Sequence, residues 1–242
     1  EGEHELKQVQ IARLDRQGRP VAGSGESFDV DVLCSANGLV PNTDITMLAG
    51  CAHEYSAASG GPVALVDDFM ETSKPGIFAA GETTGIGGAD IAIEEGRRAA
   101  HGVLNRLGKP GHARAITASA TARRRQRVVD RFSEFCASPG DFCGLADADT
   151  IICRCEEVSL KDIWQAVSLG DNQPEAVKTR TRCGMGMCQG RICGPTLARF
   201  VSSETGVPLG NLKSLTVRAP IRPVPIGALV GAPKRRGSQG AG

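Results

Sequence analysis

The sequence predicts an α+β chain in two parts, a strand-and-helix part followed by a small, mostly helical, cysteine-rich part. Three observations carry this. Residues 6–34 alternate like a small sheet, residues 87–109 have helical periodicity, and seven of the nine cysteines lie beyond residue 135. A length of 242 residues with 40% apolar residues is enough for a real core, so this is globular protein. Aromatics make up 4% and glycines number 31, which favours tight turns and close backbone approaches over a thick aromatic core.

Charge narrows the function classes. The formal net charge is +1, and the basic run Arg123, Arg124, Arg125 and Arg127 sits among acidic and apolar neighbours, as a solvated helix face does. No nucleic-acid footprint is visible. No run of eighteen apolar residues and no signal peptide occurs, so a soluble protein is expected, cytoplasmic, with any attachment to the inner face of the membrane made through partners. An odd cysteine count, uneven spacing and no export signal favour a reducing compartment over disulfides.

The elements follow in order. LKQVQIARLD and FDVDVLCSA read as strands on either side of a turn at Gln17-Gly18, and ANGLVPNTDI reads as a loop. Ile77 to Ala80 is a short apolar run closed by Gly81-Glu82, predicted as a buried strand. From Gly87, GGADIAIEEGRRAAHGVLNRLGK is a helix with acidic residues early, basic residues late and Gly108 as its stop. A second helix is predicted over Thr121 to Cys136. Between Ile151 and about Gly210 two short helices are expected, one from the cap Ser159 to Gly170, the other with Pro195 in its first turn and ending before Gly206. The tail APIRPVPIGALVGAPKRRGSQGAG has too many Pro and Gly for regular structure.

The chemistry sits in the cysteines. Cys153 and Cys155 form C-x-C, and Cys188 and Cys193 form C-x4-C inside TRCGMGMCQGRICG. A 2Fe-2S rhomb needs four thiolates, two per iron, and two cysteine pairs separated by a helix supply them. Gly184, Gly186, Gly190 and Gly194 let the backbone wrap so that amide N–H groups aim at the sulfurs. Structural zinc is the main competitor, but C-x-C is an unusual zinc spacing. Burial as small hydrophobes explains Cys34 and Cys51, and Cys136 and Cys143 fall outside the motif. Cys183 stands four residues before Cys188 with the same x4 spacing, so spacing also permits the set 153, 155, 183 and 188.

ICRCEEV followed by TRCGMGMCQGRIC resembles the BFD-like (bacterioferritin-associated-ferredoxin-like) 2Fe-2S domain appended to flavoprotein subunits. In that family the position of Cys183 is often not cysteine, which implies Cys153, Cys155, Cys188 and Cys193 as ligands and Cys183 as the alternative. TSKPGIFAAGETTGIGGADIAIEEGRRAA is similar to the second FAD motif of two-dinucleotide-binding (Rossmann-like) flavoproteins, T-x4-hydrophobic-F/Y-A-x-G-D, with Glu82 where the family mostly has Asp. The resemblance implies an FAD contact through Gly81, Glu82, Gly87, Gly88 and Ala89, the carboxylate bonding a ribityl hydroxyl and the helix N-terminus facing flavin or pyrophosphate. SANGLVPNTDI is similar to the segment re-entering the FAD domain in these reductases.

No G-x-G-x-x-G fingerprint for the pyrophosphate occurs, so the chain reads as the C-terminal half of a protein roughly twice as long, with an incomplete FAD site. The implied division is a partial flavoprotein domain over 1–110, a helical linker over 111–149, the 2Fe-2S domain over 150–210 and a Pro/Gly-rich tail over 211–242. This order, with the tail APIRPVPIGAL, resembles alpha-type subunits of opine oxidases, hydrogen cyanide synthase and proline or hydroxyproline dehydrogenases. It implies an FAD-dependent oxidoreductase acting on CH–NH or CH–NH2 donors, working with a substrate-oxidising flavoprotein subunit in a hetero-oligomer and passing electrons to an acceptor the sequence does not name. His4, His53, His101 and His112 are scattered without an acid or nucleophile partner, and no general base is found. Two alternatives stay open: an iron-sulfur binding or docking module without turnover, and a glycerol-3-phosphate-dehydrogenase-type fragment.

Overall fold

The computed structural model describes residues 5–15, 19–34, 39–109, 127–128, 131 and 142–230. Strands β1 (Gln8–Ile11) and β2 (Glu26–Asp29) pair antiparallel, with Gln8 opposite Asp29 and Ile11 opposite Glu26. The second strand therefore lies earlier than the apolar run FDVDVLCSA suggested. Its pairing partner is only four residues long, and beyond Val30, whose N–H bonds the Lys7 carbonyl at 3.0 Å, the ladder stops. Gln17 and Gly18 lie outside the described residues, between the bridged pair Leu14 and Pro20.

Helix α1 (Asp44–Leu48) follows the Pro41-Asn42 loop, where the sequence suggested only a loop. Strands β3 (His53–Ser56) and β4 (Gly61–Ala64) then form a second hairpin. The run Ile77 to Ala80 is not a strand. It is one arm of a tight return in which Thr72 N–H bonds the Ile77 carbonyl at 2.8 Å and Ala79 N–H bonds Met70 at 3.0 Å, with a single bridge between Glu71 and Phe78. A one-bridge ladder satisfies these groups locally and cannot propagate.

Helix α2 (Gly88–Arg106) begins and ends where the charge pattern placed it, with Asp90 in its first turn and Arg106 in its last. It packs on the return through Gly102: a Cβ there would meet the Phe69 carbonyl oxygen and the Phe78 ring at 2.6 Å each. Arg106 bonds Glu71 at 2.7 Å, and Arg98 bonds the Asp68 carbonyl, so the helix is also tied at its polar edge. Of the helix expected over Thr121 to Cys136, residues 127, 128 and 131 are helical and the rest lies outside the described residues.

In the cysteine-rich part a short hairpin, β5 (Ile151–Cys153) with β6 (Val158–Ser159), leads directly into α3 (Leu160–Ser168). Ser159 caps it as expected. Its N–H bonds Asp162 Oδ2 at 2.9 Å while its hydroxyl accepts from Asp162 N–H, a reciprocal capping box. Helix α4 (Pro174–Thr181) was not anticipated, although Pro174 at its start is the signal. Helix α5 (Gly194–Thr205) has Pro195 in its first turn and ends on Gly206 at φ +70°, as expected. A short helix α6 (Ile226–Val230) ends the described chain, inside a tail expected to lack regular structure.

Helices of 8 to 12 residues are marginal alone, so packing must hold them. Leu160, Ile163, Ala166, Val177, Leu197, Phe200 and Val201 form one core joining α3, α4 and α5. Each buried aliphatic side chain contributes about 1.5–3 kcal/mol. Cys153, Cys183 and Cys193 belong to the same core, so the helices form the floor under the cysteine loops.

Candidate metal centre

Each cysteine is placed by a local device. Cys153 ends β5, and Cys155 stands two residues on in the turn that leads to β6. Cys183 follows α4 directly after the left-handed C-cap Arg182, at φ +65°. Cys188 lies in the glycine-rich loop, and Cys193 is the N-cap of α5. The loops approach closely only because Gly186 has no side chain: a Cβ there would lie 2.2 Å from Cys155 Cβ. Gly184 and Gly190 face each other across 3.6 Å, both in left-handed backbone and both pressed by Leu215.

All five cysteines of the motif region come together. The sulfurs of Cys153, Cys183 and Cys193 lie within 4.8 Å of one another and are buried. Cys155, exposed, and Cys188, half-buried, meet each other through side-chain and backbone hydrogen bonds at the outer end. The nest thus has an inner trio and an outer pair. The outer pair suits one iron and any two of the trio suit the other, so geometry accommodates both ligand sets that spacing allows.

The electrostatics of the trio are uneven. A hydrogen bond from Cys183, then one from Cys153 and N–H groups of Cys193 and Gly184, outweigh burial and bring the Cys193 thiol down to about 6. The same bond, with burial, pushes Cys183 up. At Cys155 a backbone bond from Cys188 favours the thiolate, but the Cys188 side chain, burial and neighbouring charge outweigh it and raise the thiol. Thiolates bind metal, and five soft sulfur donors without an acidic or imidazole ligand among them suit iron-sulfur chemistry. Cys34 is exposed, Cys51 is buried against Thr72, and Cys143 packs on the domain core, all apart from the nest. Cys136 lies outside the described residues.

The other predicted site residues gather at the start of α2. Gly81, Glu82, Gly87, Gly88 and Ala89 surround its first turn, and Glu82 Oε1 accepts the Gly88 N–H at 3.2 Å. Sequence reading missed Glu95, whose Oε2 accepts from Gly81 N–H at 2.7 Å and Thr84 Oγ1 at 2.8 Å and so fixes the turn carrying Glu82. Nothing lies within 4 Å of a Cβ built on Gly88. An exposed carboxylate beside an open helix N-terminus fits the ribityl side of a flavin site. The pyrophosphate fingerprint is not in this chain.

One further residue was not legible. Arg191 donates from Nε to Asp44 Oδ2 at 2.7 Å, from Nη1 to the Cys188 carbonyl at 3.1 Å, and from Nη2 to the Ile221 carbonyl. It ties α1, the cysteine loop and the tail together. A cavity of about 270 Å³ lies along this seam.

With this geometry the class is defined: a segment of the pyridine nucleotide-disulphide oxidoreductase type, matched over residues 5–96, joined to a BFD-like [2Fe-2S] binding domain, matched over residues 151–203. The particular relatives are opine oxidase subunits, HcnB and a proline dehydrogenase, to which the chain is homologous. It is 36% identical over 191 residues to an opine oxidase subunit of Rhizobium meliloti (strain 1021), covering 78% of this chain and 42% of that one. Hydrogen cyanide synthase subunit HcnB of Pseudomonas aeruginosa is 32% identical over 231 residues, covering 94% and 49%. The L-proline dehydrogenase of P. horikoshii superposes with a TM-score of 0.69 at 23% identity, over 95% of this chain and 43% of its own, which shows a shared fold. The chain spans less than half the length of these relatives. No helix among the described residues is long and apolar enough to cross a membrane.

Proposed function

We propose that this chain is the electron-transferring part of an FAD-dependent amine- or amino-acid-oxidising dehydrogenase, acting on CH–NH or CH–NH2 donors together with a substrate-oxidising flavoprotein subunit. The observation that carries it is the five-cysteine nest built onto a flavin-type segment. Cys153, Cys155, Cys188 and Cys193 hold the 2Fe-2S cluster in this reading, which supplies a one-electron station when bound.

The chain's own residues supply position and potential. The α3–α5 core fixes the inner sulfurs, Gly184 and Cys193 N–H groups support the Cys193 thiolate, and Arg191 holds the cysteine loop against α1. Glu82, positioned by Glu95, offers its carboxylate to a ribityl hydroxyl. The domain division 1–110, 111–149, 150–210 and 211–242 belongs to this reading, as does a cytoplasmic location. Relatives named as oxidase and synthase subunits support a hetero-oligomer.

A glycerol-3-phosphate-dehydrogenase-type role is less well supported. That likeness, to a protein of Caloramator mitchellensis at 38% identity, covers only 26% of the chain. The opine oxidase and HcnB alignments take in most of it.

The test is iron and acid-labile sulfide analysis with a visible spectrum before and after dithionite. Two irons per chain and bleaching are expected; stoichiometric zinc and no colour would refute the reading.

A further inference from the structure

A 2Fe-2S cluster takes four thiolates, yet five cysteines converge, so one sulfur is surplus. The outer pair, Cys155 and Cys188, supplies one iron. Cys153, paired with Cys155 in the C-x-C turn, supplies one of the inner ligands. The remaining choice is between Cys183 and Cys193, and the two helices that carry them treat them differently.

Cys193 is the N-cap of the 12-residue helix α5, where unpaired N–H groups and the positive end of the dipole favour a thiolate. Cys183 stands just past the C-terminus of α4, where the last carbonyls present negative charge. It is fully buried, in the core with Leu160, Val177 and Leu197. A buried S–H beyond a helix C-terminus needs an acceptor, and Cys193 is the first it meets, with Cys153 second. The N–H of the next residue, Gly184, reaches the same Cys193 sulfur. Residues 183 and 184 therefore present two consecutive donors to one ligand.

We propose that Cys183 is a non-ligating fifth thiol whose S–H donates to the Cys193 thiolate and raises the reduction potential of the bound cluster. The inference rests on the ligand set proposed above. Reduction places one electron on the cluster with no bond made or broken, and donors to its sulfurs favour the more negative form. Cys183 is a positioning and tuning residue; it touches a ligand and not the irons.

The test uses the 242-residue chain reconstituted anaerobically with iron and sulfide, as wild type, Cys183→Ala and Cys183→Ser, plus Cys193→Ser. Iron per chain, the paramagnetic resonance of the dithionite-reduced form and a redox titration are read. Cys183→Ala should keep two irons and a near wild-type resonance while the reduced form becomes roughly tenfold less favoured, about 59 mV lower for a one-electron couple. Cys183→Ser keeps an O–H donor and should recover much of the shift, which a purely steric role would not predict. Cys193→Ser should lose the wild-type cluster. Two irons with an unchanged midpoint in Cys183→Ala overturns the donor role and leaves the ligand set standing. Loss of iron in both Cys183 variants with retention in Cys193→Ser overturns the ligand set and the proposal together. Should Cys183→Ala not fold, Cys183→Ser decides between these outcomes by its iron content and midpoint.

Discussion

Replacing Arg191 by alanine removes the tie between α1, the cysteine loop and the tail. The side chains of Arg191 and Asp44 are 28% and 21% exposed, between a surface pair worth 0–1 kcal/mol and a buried one worth several, so their contact is assigned about 1–2 kcal/mol. The bonds to the Cys188 and Ile221 carbonyls add about 0.5–1.5 kcal/mol each. The sum is about 3 kcal/mol. For a chain of this size that lowers Tm by about 6–12 °C if unfolding is cooperative. Asp44→Asn should cost only the ionic share, and a double-mutant cycle should show coupling, because each variant breaks the same contact. The assay is thermal unfolding of the reconstituted chain, followed by ellipticity and by loss of visible absorbance. Arg222→Ala, at an exposed arginine, is the control. If Arg191→Ala matches that control, the tie has no energetic content and the seam is not held by it.

Three other outcomes follow from local geometry. Gly186→Ala places a Cβ 2.2 Å from Cys155 Cβ, so the outer end of the nest must open and iron per chain should fall to half or less, while Gly144→Ala, with open space around it, retains wild-type iron. Ser159→Ala removes the α3 cap and should cost about 1 kcal/mol in urea unfolding, with Asp162→Ala adding less than its own effect because both serve one capping box. For His53, burial holds the imidazolium back and lowers its pKa from 6.5, only partly offset by the Nδ1 bond to the Cys51 carbonyl. That carbonyl can only accept, so Nδ1 carries the proton and Nε2 accepts from Thr46 Oγ1 at 2.8 Å. The unfolded chain protonates first as pH falls through 6.5, so this contribution is present above that value and declines below it. His53→Gln should flatten the pH dependence of the urea midpoint between pH 7.5 and 5.5, and an unchanged slope would count against it.

What the sequence carried was what neighbours along the chain decide. Ser159 with Asp162, Pro195 with Gly206, and the acidic-to-basic gradient of α2 are signals within one or two turns, and each marks an element the fold contains. Cysteine spacing and the glycines between them announced a thiolate nest, because those features shape single loops. The FAD-type motif was legible for the same reason, its glycines and Glu82 being consecutive around one helix start. The run Ile77 to Ala80 misled because an apolar tetrapeptide does not state whether a partner will pair with it; Thr72 and Met70 pair with it across a tight return instead. Helix α4 has a low apolar contrast along its faces and little but Pro174 to announce it.

Tertiary structure alone decided the rest. Glu95 reaches back to Gly81 across fourteen residues, and Arg191 finds Asp44 across 147, distances over which no local pattern operates. It is folding, too, that sets Cys183 beside Cys193 with opposite helix ends behind them. Spacing says that five cysteines are near enough in sequence to meet. Only the packing of α3, α4 and α5 fixes which sulfurs lie inside, which lie outside, and which helix terminus faces each one, because those relations depend on how the helices bury their apolar faces against one another.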